Sequence, residues 1–128
     1  WNTHFDHEVQ DARVKSAALL RERIAQLDSA LPVVLLGDFN ADAAANPVHA
    51  QLVGDEFFRD TWEMAPSRRG GLRGTFNGFG TFPSGNVRID WILVRGPVRA
   101  SFAEIVEYAE AGRFPCDHFP VIADLQFR

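Results

Sequence analysis

Aspartate, histidine and asparagine gather in five short strings: Asn2-Thr3-His4-Phe5, Gly37-Asp38-Phe39-Asn40, Thr75-Phe76-Asn77, Arg88-Ile89-Asp90-Trp91 and Asp117-His118-Phe119-Pro120. Each lies at or near the end of an apolar run. Asp38 and Asn40 point the same way if the chain stays extended. A carboxylate and an amide side by side orient a water molecule and hold a phosphoryl oxygen. Asp, Asn and Gly also form ordinary turns at strand ends, so this string alone reads equally well as a turn. Asp90 sits on an otherwise apolar stretch, where burying a carboxylate is costly unless it is paired. His118 is its natural partner, and a salt bridge to Arg88 is the alternative. An Asp–His pair fixes the imidazole tautomer and raises its basicity. His4 adds an imidazole at a strand end, where an ordinary edge-strand polar residue is the plainer reading. Asp6 and His7 follow in a loop as weaker candidates, and His49 reads as a surface residue of a short helix.

His4, His7 and His118 make a zinc centre conceivable. However, the sequence has no H-E-x-x-H or C-x-x-C, and Cys116 is its single cysteine. Oxygen-rich donors favour a hard ion, Mg²⁺ or Mn²⁺. A serine nucleophile lacks its G-x-S-x-G string, and Asp117 discourages a thiolate at Cys116. Arg68, Arg69 and Arg73 crowd a glycine-rich stretch just before Thr75–Phe79. Guanidinium groups beside aromatics can hold a phosphate or stack on a base. A solvated basic loop explains them equally well.

The elements that must position these groups are legible from periodicity. Trp1 to Phe5 reads as the end of a strand, with His4 and Phe5 on opposite faces. Ala17, Leu20, Ile24 and Leu27 recur at helical spacing, predicting a helix over residues 9–28 that ends before Pro32. Val33-Val34-Leu35-Leu36 predicts a central strand buried on both faces. Asn46 and Pro47 are an N-cap and a first helical residue, opening a helix to about Val53. Phe57, Phe58 and Trp62 form a core cluster near Asp60. Residues 65–74 read as loop. Strands are expected over 88–94, 98–108 and 121–127.

The chain has 128 residues, 46% of them hydrophobic and 23% charged, which suits one packed globular domain. Its net charge of −4 lowers the expectation of strong, sequence-independent binding to nucleic-acid backbones. No apolar run is long enough for a transmembrane helix, and a single cysteine excludes an intrachain disulfide. Because the chain opens at Trp1 without a signal-peptide pattern, it reads as a piece of something longer. Its compartment is left open.

The five strings, in this order and across almost the whole chain, resemble the active-site signature of the endonuclease/exonuclease/phosphatase superfamily. That group includes DNase I-like nucleases, inositol polyphosphate phosphatases and bacterial sphingomyelinases. The resemblance implies an α/β fold: the C-terminal half of a four-layer α/β sandwich, with a mixed, mainly antiparallel sheet and flanking helices. It implies a metal-dependent phosphoesterase, hydrolysing phosphodiester or phosphomonoester bonds by in-line water attack. His4 resembles the histidine that stabilises the scissile phosphate or leaving group. Asp38 and Asn40 resemble the pair that positions the attacking water. Asp90 resembles the partner of the essential histidine, His118, and Asp117 an additional metal ligand. Asn77 and Phe79 lie in the segment that lines the substrate cleft. The implied cofactor is Mg²⁺ or Mn²⁺. The implied partners are a phosphate-ester substrate (nucleic acid, inositol phosphate or lipid headgroup) and the N-terminal half of the same domain.

The family's domain is about twice this length, and its metal-binding Glu lies in the half that does not map here. Residues 1–128 are therefore expected to be the C-terminal portion of the domain. A sheet face should be left uncovered, and Mg²⁺ should bind the chain alone weakly. The alternative is a catalytically incomplete fragment, or a binding or scaffold module of the same fold.

Overall fold

The structure is a computed structural model and describes residues 1–72, 74–80 and 87–127. Among these, the elements run β1 (Asn2–His4), α1 (Gln10–Ala25), β2 (Val33–Asp38), α2 (Pro47–Val53), β3 (Arg59–Asp60), α3 (Thr61–Met64), β4 (Ser67–Arg69), β5 (Asp90–Arg95), β6 (Val98–Ile105) and β7 (Val121–Phe127). One sheet has the order β1-β2-β5-β3 and the other β4-β6-β7. β1 runs parallel to β2 and β4 parallel to β6, while the remaining pairings are antiparallel. This is the mixed, mainly antiparallel α/β arrangement expected.

Apolar periodicity determines where α1 and α2 pack. Ala17 and Ile24 of α1, with Val48 and Leu52 of α2, meet Val33, Leu35, Trp91 and Leu93 on one face of the first sheet. Side chains of this kind contribute about 1.5–3 kcal/mol each when fully buried. Asn46 caps α2, accepting the Val48 N–H at 3.0 Å, with Pro47 as the first helical residue. A smaller cluster joins Ala65, Trp62 and Met64 to Ala100, Ala103 and Leu125 of the second sheet.

Several elements depart from expectation. α1 ends at Ala25, and β6 ends at Ile105 after a break in register between Ala100 and Phe102. Residues 67–69 form β4 within the stretch read as loop, because the distant β6 supplies their hydrogen-bond partners. β2 is buried on one face only: Val33 and Leu35 lie inside, while Leu36 is 39% exposed. Leu36 pairs with Ile92, and both line an apolar groove with Phe119, Pro120 and Val121. Further along the same side Val94 is fully buried, so this face of the sheet is open only in part.

Gly37 is fixed by close approach. Its φ is +142°, and a Cβ built there would stand 1.9 Å from the Thr3 carbonyl oxygen of the neighbouring strand. Only glycine lets β1 and β2 pair at this level. No helix among the described residues is long and apolar enough to cross a membrane.

Candidate active site

Strand register builds the site. His4 of β1 is level with Asp38 of β2, and Asp38 is directly opposite Asp90 of β5. One row across the end of the first sheet therefore carries an imidazole and two carboxylates. Like charges in directly opposed positions destabilise a sheet, so this row needs compensating partners. His118 supplies one of them. Its Nδ1 lies 2.8 Å from Asp90 Oδ2 and its Nε2 3.9 Å from Asp38 Oδ2. His4 Nε2 stands 3.3 Å from the same Asp38 oxygen, although the His4 side chain is 75% exposed.

Asn40 reaches Asp38 by a turn, not by continuing the strand as the extended reading supposed. Its φ is +47°, a left-handed conformation that asparagine tolerates better than most residues. Its backbone N–H donates to Asp38 Oδ1 at 2.8 Å. Its side-chain amide donates to Asp38 Oδ2 at 3.1 Å and to the Phe5 carbonyl at 2.9 Å. Asn40 thus grips both oxygens of the Asp38 carboxylate and joins β1 to the end of β2.

The segment 75–78 runs against 117–119. Phe76 bridges His118, and Asn77 and Gly78 both donate N–H groups to the Asp117 carbonyl. The Asn77 side chain is turned inward, donating to the Cys116 carbonyl at 3.1 Å and accepting the Phe79 N–H at 2.8 Å. Phe79, with φ +55°, is 61% exposed.

His4, Asp38, Asn40, Asp90, Asp117 and His118 face one open cleft of about 630 Å³, with His7 and Phe76 beside them. Burial pushes the Asp90 carboxyl above its ordinary range; hydrogen bonds from His118 and Thr75 oppose the shift, and the charge of Asp38 adds to it. Asp38, Asp90 and His118 place one donor atom each within 4.8 Å of one another. Asp117 shares the cleft but lies outside that cluster, with Cys116 Sγ 3.5 Å from its Oδ1. Among the described residues that line the cleft, the carboxylates have imidazoles and no lysine or arginine beside them. That charge pattern and the oxygen-rich donors suit a divalent cation, though three donors are fewer than an octahedral ion takes.

Two of the expected arginines lie elsewhere. Arg68 and Arg69 sit on β4 of the second sheet. Arg69 Nε meets Glu104 at 2.6 Å. Arg68 reaches Glu63 at 3.6 Å and the Trp62 carbonyl at 3.2 Å. Arg73 lies outside the described residues. Arg88 does not pair with Asp90; its Nη2 meets Asp60 Oδ2 at 2.7 Å.

His49 is not a surface residue. Its side chain is 12% exposed and its Nε2 lies 2.8 Å from Asp60 Oδ2. Sequence reasoning also gave no role to Thr75, whose hydroxyl accepts the N–H groups of Ile89 and Asp90. Its one sequence signal is membership of the Thr75-Phe76-Asn77 string.

The class is thus a mixed α/β protein with acids and imidazoles converging at one end of a sheet. Residues 1–112 match the sequence model of the Endonuclease/Exonuclease/phosphatase family, and the chain belongs to that family. It is similar to the mannosyl-6-phosphatase of Bacteroides thetaiotaomicron, with 32% identity and TM-score 0.86, over 98% of this chain and 50% of that one. A second family protein from the same organism gives 33% identity and TM-score 0.87, over 99% and 48%. One from Bacteroides vulgatus gives 31% and 0.85, over 98% and 48%. The chain spans about half the length of these solved structures. Among curated proteins, none matches.

Proposed function

We propose that residues 1–128 are the C-terminal portion of a metal-dependent phosphoesterase domain that cleaves its ester by in-line attack of water. The carrying observation is the convergence of Asp38, Asp90 and His118, from three distant strings, within 4.8 Å on one cleft. Asp38, gripped by Asn40, orients the water and accepts its proton. The Asp90–His118 pair holds the imidazole with Nε2 toward Asp38, where it meets charge developing on the phosphoryl oxygens. His4, largely exposed at the same row, reaches the phosphate or the leaving oxygen. Mg²⁺ or Mn²⁺ would be held at the acidic rim of the cleft by Asp117 and by groups of the N-terminal half, which leaves Asp38 and His118 Nε2 for the roles above. When bound, such an ion neutralises charge on the phosphoryl and leaving oxygens.

The 32% identity to a mannosyl-6-phosphatase and the net charge of −4 favour a phosphomonoester, sugar phosphates first, over a nucleic-acid backbone. Phe79, with 61% of the residue exposed, is the candidate substrate contact of this segment, and the inward-turned Asn77 shapes it. Arg68 and Arg69 are weaker contacts, because Arg68 already holds Glu63 of α3 and Arg69 holds Glu104 of β6. The groove at Leu36, Ile92 and Val121 accepts the N-terminal half of the same domain, which brings the remaining metal ligand. Turnover of sugar phosphates, inositol phosphates, sphingomyelin and plasmid DNA by the full-length protein tests this reading. Hydrolysis of a phosphate ester that stops on Asp38→Ala supports it, and hydrolysis unaffected by that change overturns it.

One observation favours a second reading, a catalytically incomplete fragment or scaffold: the described residues offer three clustered donors. Calorimetric titration of the 128-residue chain with Mg²⁺ addresses the point. Weak binding fits a shared site, and micromolar binding contradicts the need for a second half.

A further inference from the structure

Thr75 is fully buried where three segments meet. Its hydroxyl oxygen accepts the backbone N–H of Ile89 at 3.0 Å and of Asp90 at 3.1 Å. The Thr75 side chain also counteracts the effect of burial on the Asp90 carboxyl. The Thr75 carbonyl accepts the Phe119 N–H at 2.7 Å, and its N–H donates to the Val87 carbonyl at 3.1 Å. The next residue, Phe76, bridges His118 and sets its ring edge-on to the imidazole, centroids 5.0 Å apart. A single residue therefore binds the start of β5, which carries Asp90, to the chain that carries His118. β-Branching restricts χ1 and keeps the hydroxyl aimed.

We propose that Thr75 is a positioning residue of the hydrolytic site. Its hydroxyl fixes Asp90 and its carbonyl fixes the His118 segment, so that the 2.8 Å Asp90–His118 contact is made before substrate arrives. The consequence for turnover rests on the phosphoesterase reading. The consequence for the imidazole hydrogen bond does not. Small displacements of catalytic groups have large kinetic effects. A purely structural threonine would lower the melting temperature and add its effect independently of Asp90.

The test uses the full-length protein with Thr75→Val, which keeps the shape and removes the hydroxyl, and Thr75→Ser, which keeps the hydroxyl. Thr75→Cys replaces Thr75→Val if the latter does not fold. In the unsubstituted protein, NMR should show a low-field His118 Nδ1–H resonance. Thr75→Val should lose it, and kcat should fall about 10- to 100-fold with KM within about threefold. Thr75→Ser should retain both. Placed on an Asp90→Asn background, Thr75→Val should add little further loss. Retention of the resonance and of kcat in Thr75→Val, equal damage from Thr75→Ser, or full additivity with Asp90→Asn would each overturn the assignment. If the unsubstituted protein turns over no phosphate ester while the resonance responds as stated, the functional reading fails and Thr75 keeps its role.

Discussion

Two aspartate–histidine pairs of equal length, 2.8 Å, sit at different depths of this molecule and behave oppositely. Asp60–His49 is sealed: the Asp60 side chain is 3% exposed, and the His49 ring packs edge-on against Trp91. Burial alone would raise the Asp60 carboxyl, but the bond from His49 and the charge and bond of Arg88 hold it below its ordinary range. The Trp62 N–H occupies the other oxygen, capping α3. Asp90–His118 opens on the cleft, has no arginine beside it among the described residues, and faces Asp38 across the sheet. Its carboxyl is raised, by burial first. A pair wrapped in a cation and satisfied donors braces the fold, whereas a pair left short of positive charge keeps capacity for a ligand.

The largest expected difference between the two regions is catalytic. Asp38→Ala in the full-length protein should lower turnover by about 10³-fold or more and leave the melting temperature near its starting value. A stopped assay beside a thermal melt checks both. On the structural side, Asp60→Ala strands a buried Arg88 and should cost about 3–5 kcal/mol in urea unfolding. A loss no greater than that of an exposed ion pair would remove the distinction. Gly37→Ala forces a Cβ into the Thr3 carbonyl. It should destabilise by several kcal/mol and displace His4, visible as lost amide protection at Phe5, whose N–H donates to the Asp38 carbonyl.

The smallest effect is in the acid limb, where the signs differ. Asp60 has a lowered folded pKa, so its contribution is present above the ordinary carboxylate value of 3.8 and is lost as pH falls through the folded value. Asp90 has a raised folded pKa. Between 3.8 and that value the native state holds more protons than the unfolded one, and stability from Asp90 declines as pH rises. Asp60→Asn should therefore weaken the protein at neutral pH and flatten its acid limb. Asp90→Asn should unfold at no lower urea concentration than the unsubstituted chain at neutral pH. The same sign for both would dissolve the contrast.

Local chemistry made much of this legible. Asn46-Pro47 announced α2, the apolar run announced β2, and the cost of burying Asp90 pointed to His118 over Arg88. Tertiary partners were not legible. His49 reads as surface because nothing near it shows that Asp60 folds back underneath. Arg68 and Arg69 read as loop because their strand partner is β6, a distant segment. Asn40 meets Asp38 through a left-handed turn that extended geometry does not suggest. Thr75 was quoted within a motif, but its work is done by hydrogen bonds to β5 that only the folded chain displays.

The central claim is that the open pair acts on substrate and the sealed pair holds the fold. Its most direct test is turnover and melting temperature for His118→Ala against His49→Ala in the full-length protein. The account predicts that His118→Ala loses about 10³-fold in kcat with little change in melting, while His49→Ala melts lower and, where folded, turns over near normally. Normal turnover in His118→Ala would contradict it.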